Sequence, residues 1–290
     1  MVKDIRRTSY KAFNQDMTCR GVQYEVGKEY EMDGEKLKLC FNGFHSCLCP
    51  MNVTRYYNAF TSRFAEVEYW GVVEKDKGST KICSSNIKVV RELSLKELVE
   101  LQISWVKDHC TTTFLTDNDI DCQCLYINDC FGIIKSSGNE CKIASTDTAC
   151  KITSSGSCCI ISSQGRFVDI TSNGDHCFIC SLEKYAKITT SGFRCDVYST
   201  GNYANIVSSG KRCRIDSQGY FATITCMGEE AWVKAQIGST ITIANYTYDD
   251  DICNETITCV KTEKVDGERI KANTWYKMCC GMLVEVEMLK

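Results

Sequence analysis

The sequence predicts a mainly β protein: a parallel β-solenoid with two walls and 18 residues per coil, a small α+β N-terminal domain before it and a β C-terminal cap after it. Three observations predict this. A nine-residue pattern recurs from about Asp129 to Ala235. Within each unit apolar and polar positions alternate. The inward columns change identity with a period of 18, twice the repeat. The expected bounds are 1–110 for the N-terminal domain, 111–245 for the solenoid and 246–290 for the cap.

Residues 1–110 do not follow the repeat. The stretch Gly21–Met32 alternates like strands with a turn at Gly27, and Arg63–Lys75 and Thr80–Leu93 read as further strands. Pro50–Phe60 reads as a short helix, because proline suits the first helical position. Ser94–His109 is amphipathic, and Ser94 with Glu97 forms a capping box at its start.

The repeat follows. Its Ile column runs Ile134, Ile143, Ile152, Ile161, Ile170, Ile179, Ile188, Val197, Ile206, Ile215, Ile224, Val233, and a Ser column follows two places later, broken at Cys226. A Gly column, with Asp147 and Glu183 as exceptions, is placed to supply turns where φ can be positive. Alternation with period 2 makes each unit a strand with one buried face. One such strand cannot bury that face alone, so units must stack. Cys159, Cys177, Cys195 and Cys213 recur every 18 residues, and Val168, Ala186, Ala204 and Ala222 fall midway between. One coil therefore holds two units, with Cys lining one wall and Ala or Val the other; a triangular coil would mix the columns. Such coils resemble the β-roll of calcium-binding nonapeptide repeats, but turns such as SSGK and SSQG lack the carboxylates that calcium needs. About six coils, at roughly 4.8 Å each, would reach roughly 30 Å. Their open ends would invite edge-to-edge aggregation, so the flanking segments are expected to cap them. In the tail, Asp266-Gly267 and Cys280-Gly281 are both hairpin-turn signals.

A net charge of −3 shows no basic excess, so no nucleic-acid partner is expected. The start, MVKDIRRTSYKAF, has no apolar core of a secretory signal, and no apolar run is long enough to span a bilayer, so no membrane partner is expected. The 22 Cys beside a single Pro are read as reduced thiols in a cytosol, used as small, polarizable packing material.

Three places could carry function. Phe167, Tyr185, Tyr203 and Phe221 form an outward column on the Ala wall beside Thr171 and Thr189, expected to make a flat face for a protein partner or a second copy of the chain. Arg194, Arg212 and Arg214 on the other wall could hold a phosphate or carboxylate, though they sit in a mixed-charge face. Cys40, His45, Cys47 and Cys49 could ligate zinc, but the preferred reading is a packed turn before a helix, with no metal and no cofactor. The same stretch loosely resembles ADP-ribosyltransferase folds, in which case Arg20, Gly21, His45, Ser46, Tyr56 and Tyr57 would line an NAD cleft and Glu92 would be the acid to consider.

The blocks KAFNQDMTCRGVQYEVGKEYE, KLCFNGFHSCLCPMNVTRYY and VKTEKVDGERIKANTWYKMCCGMLVEVE, with the Gly-punctuated repeat between them, resemble a family of uncharacterised phage and prophage proteins. Members usually carry more Ala and Ser, and fewer Cys, in the repeat. The resemblance implies a mobile-element setting in a host cytosol and transfers no functional residue. The function expected is a non-enzymatic, rigid solenoid scaffold that binds a protein partner or self-assembles, countering host functions; the alternative is an NAD-binding N-terminal domain of the ADP-ribosyltransferase type.

Overall fold

The structure is a computed structural model that describes residues 5–110, 121–249 and 254–288. The expected boundary at 110–111 opens on residues outside that set, and so do 250–253 of the expected cap. The chain divides into two compact units, one running to Trp105 and including Met288, the other Val106–Glu287.

In the first unit five strands form a sheet in the order Glu29–Glu31, Lys81–Leu93, Phe44–Cys47, Arg7–Phe13, Arg63–Lys75. Lys81–Leu93 also pairs with Arg63–Lys75, so the sheet closes on itself. Its core holds Phe13, Tyr24, Phe44, Val67, Ile87 and Val89. Gly27 is a turn residue with φ +87°, but the strands around it are not partners. Val22–Gln23 pairs with Thr18–Cys19 across a tight turn at Arg20 and Gly21, whereas Glu29–Glu31 joins Lys81–Leu93. The expected short helix is a 3-10 helix over Pro50–Arg55, with Pro50 at its start. The amphipathic helix runs Leu95–His109. Its capping box is formed: Glu97 N–H donates to Ser94 Oγ at 3.2 Å, and Ser94 N–H donates to the Glu97 carboxylate at 2.8 Å.

The second unit is a parallel β-solenoid of about 7 turns with ~18 residues per coil. Alternate four-residue strands belong to opposite walls, and the register along each wall is 18 residues, as in Ile143↔Ile161 and Ile152↔Ile170. The Ile column and the Cys and Ala columns are buried in one continuous core. Each buried Ile contributes about 1.5–3 kcal/mol relative to exposure. The Cys thiols also donate to the coil before: Cys177 Sγ to Gly156 O at 3.3 Å and Cys195 Sγ to Gly174 O at 3.2 Å.

Three expectations are corrected. The solenoid exceeds six coils because strands Cys124–Ile127 and Thr240–Asp249 extend it at either end. There Ile127 and Ile243 replace the Ser that marks the repeat, so the motif fades before the fold does. The Gly column does not supply positive φ. A Cβ on Gly201 would lie 1.9 Å from Glu183 O, and one on Gly219 2.0 Å from Gly201 O, so glycine is needed for close backbone approach between coils. The left-handed residue stands two places later and is not glycine: φ is 58° at Phe167, 63° at Tyr185, 60° at Tyr203 and 59° at Phe221. Finally, Cys280-Gly281 closes a hairpin between Trp275–Cys279 and Met282–Val286, but Asp266-Gly267 does not. After it the chain crosses to the other wall, where Trp275–Cys279 pairs antiparallel with Trp232–Ala235.

Candidate functional site

The aromatic column lies on the solenoid's turns rather than on the flat of its wall. Each ring stands on a left-handed residue, and consecutive rings stack. Centroids are 4.9 Å apart for Phe167–Tyr185, 5.3 Å for Tyr185–Tyr203 and 5.5 Å for Tyr203–Phe221, with interplanar angles of 4°, 9° and 15°. Such pairs add about 0.5–1.5 kcal/mol each beyond burial. All four side chains remain 41–53% exposed. Because the rings cover one another's faces, the column offers ring edges and hydroxyls, a ridge suited to packing rather than a platform for sugar stacking. Thr171 and Thr189 are register partners on the adjoining strands and are half-buried. The column is longer than the four aromatics: Ala149 precedes it with φ 57°, Phe131 stands one coil further out with φ 61° and is 77% exposed, and Gly238 follows with φ +82°, where a Cβ would strike the Phe221 ring at 2.5 Å.

Of the three arginines expected on the other wall, Arg214 stands on a wall strand and Arg194 and Arg212 on left-handed turn positions, and all three are engaged. Arg214 forks onto Asp196 at 2.6 and 2.5 Å, Arg212 pairs with Glu230, and Arg194 lies 5.1 Å from the Phe193 ring.

In the N-terminal unit the residues of the strand, turn and 3-10 helix converge. Arg20, His45, Ser46, Tyr56 and Tyr57 all line one half-open cavity of about 100 Å³, together with Tyr10, Lys11, Cys19, Cys47 and Lys81. Sheet register brings them there: Lys81 lies opposite Cys47, and Cys47 opposite Tyr10. Lys11 forms the floor. It is 4% exposed, donates to His45 O at 2.8 Å and to Cys19 Sγ at 3.4 Å, and has the Tyr24 ring at 5.2 Å. Burial lowers its pKa. Tyr57 donates its hydroxyl to Cys19 Sγ at 3.0 Å, and burial raises its pKa. The Cys40 loop stands at the edge, held by Arg20 to Cys40 O at 3.0 Å, Lys81 to Cys40 Sγ at 3.2 Å, and Cys40 N–H to His45 Nε2 at 2.9 Å. His45 is therefore an acceptor at Nε2. Burial first, then Arg20, Lys11 and Lys81, lower its pKa to about 4.

Residues 7–101 match a domain of unknown function, DUF7666. The matched segment contains the whole cavity lining. No curated protein and no solved structure matches the chain.

The cavity is smaller than the ~300–1,000 Å³ usual for sites that enclose a drug-sized ligand, and a dinucleotide is larger still. Glu92 is not part of its lining; its carboxylate is held by Arg63 at 2.7 and 2.6 Å. Among the suggested zinc ligands, Cys49 is buried and donates to Gln102 Oε1 at 3.1 Å, and burial pushes the Cys47 thiol up to about 12. Among the described residues no three metal-ligating side chains come together.

Sequence reasoning missed Lys11, Lys81 and Cys19. The signal for Lys11 was present: Ser9, Lys11 and Phe13 share the inward parity of one strand, and a lysine there is out of place in a core. Lys81 gave none, because its position depends on pairing with a distant strand.

Proposed function

We propose that this chain is a non-enzymatic scaffold whose aromatic column docks a second copy of itself. The observation that carries this reading is the order of the column. Its six positions Ala149, Phe167, Tyr185, Tyr203, Phe221, Gly238 read small, Phe, Tyr, Tyr, Phe, small in either direction, with the exposed Phe131 one coil beyond Ala149. A two-fold axis between Tyr185 and Tyr203 sets Phe167 against the partner's Phe221 and Tyr185 against the partner's Tyr203, the self-complementarity an isologous interface needs. The flanking positions agree. Lys184 would meet the partner's Asn202, Arg166 the partner's Tyr220, Asp169 the partner's Thr223, and Lys187 the partner's Asn205, so no like charges oppose.

The wider setting we attach to this scaffold, a phage or prophage protein that works in a host cytosol and counters host functions, is supported only by the resemblance of the N-terminal and tail blocks.

Sedimentation tests the docking. The native chain should run as a dimer. Tyr185→Lys with Tyr203→Lys places lysine against lysine twice and should give the monomer. Tyr185→Lys with Tyr203→Glu places opposite charges together and should restore the dimer. A monomeric native chain, or a dimer indifferent to the double lysine, overturns the proposal.

A further inference from the structure

The N-terminal cavity collects three cationic side chains, Lys11, Arg20 and Lys81, and no carboxylate is among its lining residues. Cations in proteins are ordinarily matched by acids, and this chain has acids to spare: 37 Asp and Glu against 34 Lys and Arg. Elsewhere in the same unit the pairing is routine, as in Arg63 with Glu92 and Arg91 with Glu66. Among the described residues, none of the three cavity cations has a carboxylate within ion-pair distance. Their partners are two carbonyls, two thiols and aromatic rings.

Lys11 makes the point most sharply. A lysine almost never lies this deep without a counter-charge, because removing an ammonium from water costs several kcal/mol unless it is paired. Burial works against the charged form of Lys11 and a bound anion favours it; in that form the ammonium has three donors. His45 O and Cys19 Sγ take two of them, which leaves one for a ligand in the cavity that Lys11 lines. Around the same space stand Tyr56 and the guanidinium of Arg20, while the Tyr57 hydroxyl donates to Cys19 Sγ and Ser46 Oγ is bonded to Ser9 Oγ at 2.8 Å. Arg20 is fixed in place by the left-handed turn it shares with Gly21, with φ 50° and 79°. Cations with a neutral hydroxyl donor and no competing acid form the chemistry that holds oxyanions.

We infer that this cavity binds a small oxyanion, a phosphoryl or carboxylate group, with Lys11 at its floor and Arg20 and Lys81 at its sides. Its half-open form admits either a free ion or the anionic end of a larger molecule. The site is separate from the aromatic column, and neither proposal depends on the other.

Titration calorimetry on the full chain at constant ionic strength tests this, with inorganic phosphate in one arm and succinate in the other. Saturable binding at one site per chain is expected in at least one arm, and the arm that binds names the class. Arg20→Gln and Lys81→Gln should each weaken it by about tenfold, the size of one charge-assisted hydrogen bond. Arg212→Gln, on the solenoid, should leave it unchanged. The imidazole signals of His45, one of only three histidines, should shift on binding. Lack of saturable binding in both arms, or binding that Arg212→Gln weakens as much as Arg20→Gln, overturns the inference. So does binding with an unmoved His45 signal.

Discussion

His45 ties the stability of the N-terminal unit to pH. Its folded pKa is lowered from 6.5 to about 4, chiefly by burial. Between those values the unfolded chain holds a proton that the folded chain does not, so stability rises with pH across the window and is lost as pH falls through it. Below about pH 4 both forms are protonated and this dependence ends. In urea unfolding, His45→Gln should therefore show a shallower loss of stability than the native chain between about pH 6.5 and pH 4; an equal loss would mean the imidazole is not the titrating group. The glycines offer a second test at this scale. Gly201→Ala would put a Cβ 1.9 Å from Glu183 O, while a Cβ on Gly78 meets nothing within 4 Å. Gly201→Ala should lower the melting temperature by many degrees, since two packed backbones must separate, and Gly78→Ala should leave it nearly unchanged. The sequence displayed the Gly column but not its reason. Periodicity reports that a position is special, and only the neighbouring coil reveals that the constraint is contact rather than φ.

At the level of single elements, local signals were read most fully where the physics is local. The capping box is such a case: the reciprocal bonds between Ser94 and Glu97 need only residues three apart. Ser94→Ala should cost about 1 kcal/mol, measured by chemical denaturation, because one orphan N–H at the helix start loses its acceptor. The strands of the repeat were equally legible, since C-x-I-x-S alternation defines a buried face by itself. The aromatic column was legible as spacing but not as conformation. Nothing in an 18-residue period tells a turn from a strand, and the exposed ring sits at a left-handed residue that most side chains avoid. Asp266-Gly267 failed for a related reason. A turn signal is local, but a hairpin also requires that the strands on either side pair, and Trp275–Cys279 pairs instead with Trp232–Ala235 on the other wall. The cavity was half legible: Arg20, His45, Ser46, Tyr56 and Tyr57 came from one dense stretch and its neighbours, whereas Lys81 arrives only through the register His45↔Cys83 and Cys47↔Lys81.

Each compact unit solves a different problem of sheet edges. The N-terminal sheet closes on itself by pairing Lys81–Leu93 with both Phe44–Cys47 and Arg63–Lys75, and closure leaves the three-residue strand Glu29–Glu31 as its edge. The solenoid cannot close, since every coil has a neighbour only above and below. At its C-terminal end the chain reverses direction instead. Asn254–Lys264 runs antiparallel to the last strand of one wall, and the Trp275–Cys279 and Met282–Val286 hairpin covers the last strand of the other. A parallel stack is thus ended by antiparallel strands, whose outermost members carry Lys261, Lys264, Glu285 and Glu263. Charged edges of this kind oppose addition of another chain. If capping is the purpose, breaking one cap strand should bare Trp232–Ala235 as a pairing surface and remove Tyr276 from the end of the core, while the coils before it keep their packing. Tyr276→Pro does this: it disrupts the pairing Val233↔Tyr276, and proline is poorly tolerated inside a paired strand. Light scattering should then show aggregates that grow with concentration, while the β signature in circular dichroism persists. Met282→Lys, at a position 58% exposed on the same hairpin, should stay as soluble as the native chain. Soluble, native-like behaviour of Tyr276→Pro would show that the end of the stack is protected by something other than its hairpin.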